Sequence, residues 1–249
     1  GRLFSFDGPR LWASDGSADG TLLLRDFGTS ILRYTSVPIP GALLFWIERG
    51  GGVVELWRSD GTVDGTALVK SVDLGDAAAT PQRGVAAGGL ALFSVVHSPT
   101  PLWRSDGTPD GTYAVLQPSY EPNDGLPVWL TDANGTLLFS ASDADHGAEL
   151  WRSDGTGPGT TLVKDINPGP DGSGPGHMTV APSGVYFRAC EATTGCELWR
   201  SDGTGPGTSL VKDFLPGPET GFGFELGVLG DLFLFTADDG EHGQQLWRT

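Results

Sequence analysis

The chain has 249 residues, 38% of them apolar, with 12 Phe and 8 Trp, which suffices for a folded core and excludes a disordered acidic tail. Thirty-one acidic side chains against 15 basic ones give a formal net charge of −16. Such a surface repels phosphate backbones and anionic lipid, so no nucleic-acid partner is expected, and no apolar run reaches the ~18 residues of a membrane span.

The chain opens on the strand-like run Leu3-Phe4-Ser5-Phe6 and then meets the first of six regularly placed tryptophans, Trp12, Trp57, Trp103, Trp151, Trp199 and Trp247. A spacing of 45 to 48 residues is the period of a propeller or solenoid, whose unit cannot bury its core alone. The repeat predicts one continuous domain over residues 1–249. The first residues do not read as a signal peptide, so either the mature form is shown or export must be argued from other features.

Each unit reads as four strands. In the fourth repeat the first run covers residues 126–131 and is followed by Asn134-Gly135, a dipeptide that accepts positive φ and so closes a hairpin. Equivalent turns are Pro40-Gly41, Gly88-Gly89, Ser183-Gly184 and Gly230-Asp231. The second run, residues 136–141 here and Leu43-Leu44-Phe45-Trp46 or Leu232-Phe233-Leu234-Phe235 elsewhere, is apolar on both faces, so it must be covered on both sides. The third, residues 149–153, leads through Asp154-Gly155-Thr156 to a fourth over residues 161–166, charged in mid-strand as an exposed edge should be. Gly/Pro-rich segments such as residues 167–174 then cross to the next unit. No stretch shows helical periodicity.

This wiring predicts an all-β fold, a β-propeller of four-stranded blades. Four full units and two end units each short of one strand make 22 strands and six blades. Five blades or a piece of a longer array are the alternatives, and a β-solenoid is the runner-up architecture.

The string Glu-Leu-Trp-x-x-Asp-Gly-Thr at residues 55–62, 149–156 and 197–204, with Leu-Val-Lys-Asp-Ile-x-Pro-Gly at 162–169, resembles the ELWxxDGT repeat family of bacterial proteins. The likeness covers nearly the whole chain. The first copy departs at Arg10, Ala13 and Ser17, and the third has Pro101 in the Glu position. The resemblance implies a propeller with a secreted or surface role and no reaction.

The recurring Asp15, Asp60, Asp106, Asp154 and Asp202 each offer one carboxylate, too few for calcium, and are expected to cap their own turns. Arg152 and Asp154 share a strand face and so can pair, while Trp151 points into the contact between blades. Richer acidic sets stand before two third strands. Asp143 and Asp145 in one, with His146, and Asp238 and Asp239 in the other, with Glu241 and His242, are candidate calcium ligands. The loops Glu48-Arg49-Gly50 and Ser98-Pro99-Thr100 lack the set, so such a metal would be local. No other cofactor is indicated. Cys190 and Cys196 bracket one hairpin loop, a placement that favours a disulfide and an oxidising compartment over two free thiols in a reducing one.

His97, His146, His177 and His242 fall at unlike places, with no paired nucleophile. The variable positions sit in the first strands. Counted back from the hairpin turns, one aligned position reads Thr35, Arg83, Trp129, Met178 and Glu225, and its neighbour Tyr34, Gln82, Val128, His177 and Phe224. Of these, Thr35, Arg83, Trp129, His177 and Glu225 are the candidate ligand-binding residues, facing an axial channel if the first strand is innermost; the alternative is packing residues that drift freely. The expected function is therefore a non-catalytic, extracytoplasmic interaction module with a protein or glycan partner. A lectin-like propeller is the alternative, and a channel hydrolase or lyase using Arg83, His177 or Glu225 the third reading.

Overall fold

The computed structural model describes residues 2–28, 34–76, 78–98, 101–115 and 126–249. The side chain of Tyr34 and residues 99 and 100, which entered the sequence alignment, lie outside that description. Among the described residues the structure is all-β, with 22 strands in six antiparallel sheets and no helix. The chain divides into two compact units, Gly1–Val115 and Leu116–Thr249.

The first unit holds three meanders. Strands β1 (Leu3–Asp7), β2 (Arg10–Ser14) and β3 (Leu22–Asp26) form a three-stranded sheet. Four-stranded sheets follow, one of β4 (Tyr34–Ile39), β5 (Ala42–Gly50), β6 (Val53–Ser59) and β7 (Ala67–Asp73), the other of β8 (Thr80–Ala87), β9 (Leu90–Val96), β10 (Leu102–Ser105) and β11 (Tyr113–Val115). The second unit repeats the pattern. It has β12 (Val128–Ala133), β13 (Thr136–Asp143), β14 (Gly147–Ser153) and β15 (Thr161–Lys164), then β16 (Gly176–Ala181), β17 (Gly184–Glu191), β18 (Gly195–Ser201) and β19 (Ser209–Lys212). A last sheet contains β20 (Phe222–Leu229), β21 (Leu232–Asp238) and β22 (Gln244–Arg248).

The doubly apolar second strands behave as their pattern requires. Along β5, Phe45 and Ile47 join a core with Leu11, Ala13, Leu24, Phe27 and Trp57, while Leu44 and Trp46 join a second core with Val54, Leu56, Phe93 and Trp103. In the second unit β17 sends Val185, Phe187 and Ala189 to a core with Leu138, Leu150 and Trp199, and Tyr186 to one with Phe233 and Phe235. Alternate residues point to opposite faces, so a strand buried along its length ties its sheet to a neighbour on each side. Burying a Phe or Leu side chain stabilises by roughly 2 kcal/mol, which makes these shared faces the main source of cohesion within each unit.

Register corrects three sequence expectations. The turn between β16 and β17 is Pro182-Ser183, because Ala181 pairs with Gly184, so the expected Ser183-Gly184 turn is one residue late. The first strand of the fourth repeat runs Val128–Ala133, not 126–131. The fourth strand of that repeat ends at Lys164, and Ile166 turns inward to the core instead of extending the edge.

Candidate ligand-binding site on the first strands

The Asp-Gly-Thr-x-x-Gly-Thr turn closes on itself. At Asp154, Oδ1 accepts the amide and hydroxyl of Thr156 at 2.8 and 2.7 Å, and the Thr156 hydroxyl in turn accepts the Gly159 amide at 3.0 Å. Ser153 Oγ meets Thr160 Oγ1 at 2.7 Å and accepts the Gly155 amide at 3.0 Å. The Thr156 hydroxyl and amide hold the Asp154 carboxyl below its ordinary value, and Asp15, Asp60, Asp106 and Asp202 shift the same way. These aspartates cap turns. Arg152 does not pair with Asp154 through a hydrogen bond but donates to the Gly203 carbonyl of the next turn at 3.4 Å; the expected strand-face pairing occurs at Arg104 and Asp106, 3.6 Å apart.

The acidic hairpin tips are also internally committed. Asp143 Oδ1 accepts the amides of Asp145 and His146 and lies 2.9 Å from His146 Nδ1, and Asp239 holds the amides of Glu241 and His242 and the His242 ring. Asp238 accepts the amide of Gly240. No group of three or more His, Cys, Asp or Glu side chains among the described residues is arranged to hold a metal. In the equivalent tip between β17 and β18, Cys190 and Cys196 are directly cross-strand partners and form a disulfide.

Two of the three motif glutamates, which sequence reasoning left without a role, are buried anchors, Glu149 and Glu197, while Glu55 pairs with Arg49. Glu149 accepts the Asn167 amide at 2.9 Å and the Ser173 hydroxyl at 2.6 Å, so it pins the crossing segment. Forty-eight residues on, Glu197 accepts the Gly221 amide at 2.8 Å, but glycine replaces the serine and its Oε2 is buried without a partner among the described residues. Burial pushes the Glu197 carboxyl up to about 7, against the opposing amides of Gly221, Phe214 and Leu215. The signal for this difference was present in the sequence as Ser173 against Gly221.

The variable positions of the first strands are where the backbone departs from regularity. The ladder of β12 with β13 shifts register between Val128 and Thr131, that of β16 with β17 between Gly176 and Thr179, and that of β20 with β21 between Phe222 and Glu225. In the first unit β8 has the same irregularity between Pro81 and Gly84, whereas β4 pairs without a break. A bulge adds a residue, bends the strand and re-aims side chains. Within two of these bulges Trp129 and His177 adopt φ of 58° and 56°. For bulky residues the left-handed region costs on the order of 1–3 kcal/mol.

With the β16–β17 turn corrected, Trp129, His177 and Glu225 occupy one structural position in three successive sheets, 48 residues apart. Met178, which the shifted alignment had placed there, packs against the core instead. The three side chains touch in sequence. The Trp129 and His177 rings lie 4.8 Å apart at a 30° tilt, and His177 Nδ1 is 3.0 Å from Glu225 Oε1. Trp129 is 47% exposed and Phe224, beside Glu225, is 70% exposed, while Glu225 Oε2 is shut in without a hydrogen-bond partner among the described residues. In the first unit, Thr35 and Arg83 line an open cleft of about 410 Å³ with Ser36 and Gly84.

No family model and no curated protein matches the sequence. Solved structures do. The chain is similar to a prolyl endopeptidase (TM-score 0.51, 12% identity, covering 96% of this chain and 38% of that one) and to puromycin hydrolase (0.48, 16%, 94% and 40%). It is also similar to TolB from Acinetobacter baumannii (0.43, 10%, 98% and 64%). The chain thus spans less than half the length of either hydrolase, and the likeness to the endopeptidase is one of fold.

Proposed function

We propose that this chain is a non-catalytic, extracytoplasmic binding module of the ELWxxDGT repeat type, built as a propeller, that presents its ligand site on the first strands at Trp129, His177 and Glu225. The observation that carries the reading is the strained backbone beneath half-exposed rings. Strain at Trp129 and His177 adds nothing to a core, and it persists where side chains must be presented outward. The repeated residues have structural roles in turns and anchors, which leaves the varied positions for recognition. The Cys190–Cys196 disulfide supports an oxidising compartment.

The test compares wild-type protein with Trp129→Ala and Glu225→Ala for binding to washed bacterial envelopes and to secreted polysaccharide. Binding that both variants reduce about tenfold or more, with melting temperatures kept within a few degrees, is the expected result. Binding indifferent to both substitutions overturns the site.

One observation favours a second reading. His177 and Glu225 form an imidazole–carboxylate pair at 3.0 Å, the separation a general base and its orienting group require. The structural likeness is to chains named for hydrolysis. Turnover of peptide, ester or glycoside substrates that His177→Ala abolishes would replace the binding module with a hydrolase.

A further inference from the structure

Resting on the binding reading above, we propose that the Trp129–His177–Glu225 platform takes a neutral carbohydrate, with a pyranose ring laid on the indole of Trp129 and a hydroxyl bonded to Nε2 of His177, whose ring Glu225 orients. The chemistry follows from what the platform offers and lacks. An indole exposed over nearly half its surface presents a flat apolar face, and a sugar ring has a matching face of C–H bonds. Phe224 extends the apolar surface beside Glu225.

The polar groups beside the rings suit hydroxyls. Glu225 spends one oxygen on His177 Nδ1, and its other oxygen is shut in without a partner among the described residues, so the carboxylate orients the imidazole and does not itself face a ligand. His177 Nδ1 is taken by Glu225, which leaves Nε2 as the ring nitrogen for a ligand. A hydroxyl both donates and accepts, and so serves the imidazole nitrogen whichever tautomer the ring holds.

Charge selects among ligands with an apolar face. The chain's net charge of −16 opposes uronate or sulfated polymers. A quaternary ammonium is best held by rings on several sides, whereas here Trp129 and His177 are two rings packed on each other at a 30° tilt and the nearby carboxylate is already engaged by the imidazole. A neutral sugar is what remains.

Wild-type protein and the variants Trp129→Ala, Trp129→Phe and Glu225→Gln are titrated by calorimetry with neutral gluco-, galacto-, manno- and xylo-oligosaccharides, with oligouronates, and with choline. Near-ultraviolet circular dichroism, which reports on packed aromatic side chains, verifies each fold. The expected result is saturable binding of at least one neutral series, weakened about tenfold or more by Trp129→Ala, less by Trp129→Phe, and severalfold by Glu225→Gln. Binding of choline or an oligouronate alone, lost in Trp129→Ala, overturns the sugar assignment and keeps the binding module. Neutral-sugar binding unchanged in Trp129→Ala overturns the placement. If no probe binds but the envelope binding of wild type is still lost in Trp129→Ala, the carbohydrate class is wrong and the module stands.

Discussion

At Glu197 a single residue change between repeats sets a titration. Its equivalent, Glu149, has the Ser173 hydroxyl on one oxygen and the Asn167 amide on the other, whereas glycine at position 221 leaves Glu197 with one oxygen unmatched. The folded carboxyl is raised to about 7 from an ordinary 4.5 by burial. A folded pKa above the unfolded one means that the native state holds a proton the unfolded chain has released. The group's contribution is therefore intact below about pH 4.5 and is lost as pH climbs to about 7, by ~3 kcal/mol at most. Glu149 shifts upward for the same reason and adds to the trend. Chemical denaturation between pH 5 and 8 should show wild type losing stability, and Glu197→Gln, which cannot ionise, should flatten that slope; an unchanged slope would remove the assignment. At Asp143 and His146 the pair shifts in opposite senses. Asp143 is lowered, with burial outweighed by its bonds from His146, and His146 is raised by its bond to Asp143. That contact stabilises most between about pH 4 and 6.5, so His146→Ala should cost more at pH 5.5 than at pH 8.

At the scale of the element, the turn and the hairpin tip make separate demands. A Cβ on Gly159 would stand 2.1 Å from Asp154 Oδ1, inside the capping network. Gly159→Ala must expel the carboxylate from its bonds to Thr156, at a cost of roughly 2–4 kcal/mol. Because both changes break one network, the double variant Asp154→Ala/Gly159→Ala should cost clearly less than the two single costs combined, measured by urea unfolding. At the tip, the disulfide closes a short loop with a sequence separation of 6, so Cys190→Ser/Cys196→Ser should lower stability by about 2 kcal/mol in oxidising buffer. That tip also receives the crossing segment, since the Cys190 amide donates to the Ser173 carbonyl and the Ala192 amide to Asn167. Enhanced exchange of amides in residues 167–174 should accompany loss of the bridge.

For the whole molecule, the excess of carboxylates acts over distances that salt can screen. With a net charge of −16, the melting temperature should rise between ~10 mM and ~300 mM NaCl, as the Debye length falls from about 30 Å to under 8 Å. A fall would mean that local ion pairs such as Arg49–Glu55 outweigh the general repulsion. At this scale the sequence was most informative. The tryptophan period, the apolar second strands and the Asp-Gly-Thr strings determined the strand number, the meander order and the structural role of the aspartates, because each depends on local geometry or on a repeating need for burial. The site was only half legible. Side-chain variety at Trp129, His177 and Glu225 could be read off the alignment, but a bulge inserts a residue without a sequence mark and Pro182-Ser183 turns where Ser183-Gly184 was expected, so which residues meet depended on register. Likewise the string Glu-Leu-Trp is alike at residues 149 and 197, yet one glutamate is satisfied and the other is not, since its partner lies 24 residues away in a crossing segment. Periodicity and turn chemistry act between near neighbours and are written in the chain; contacts across strands and crossings depend on register and packing, and only the tertiary structure decided them.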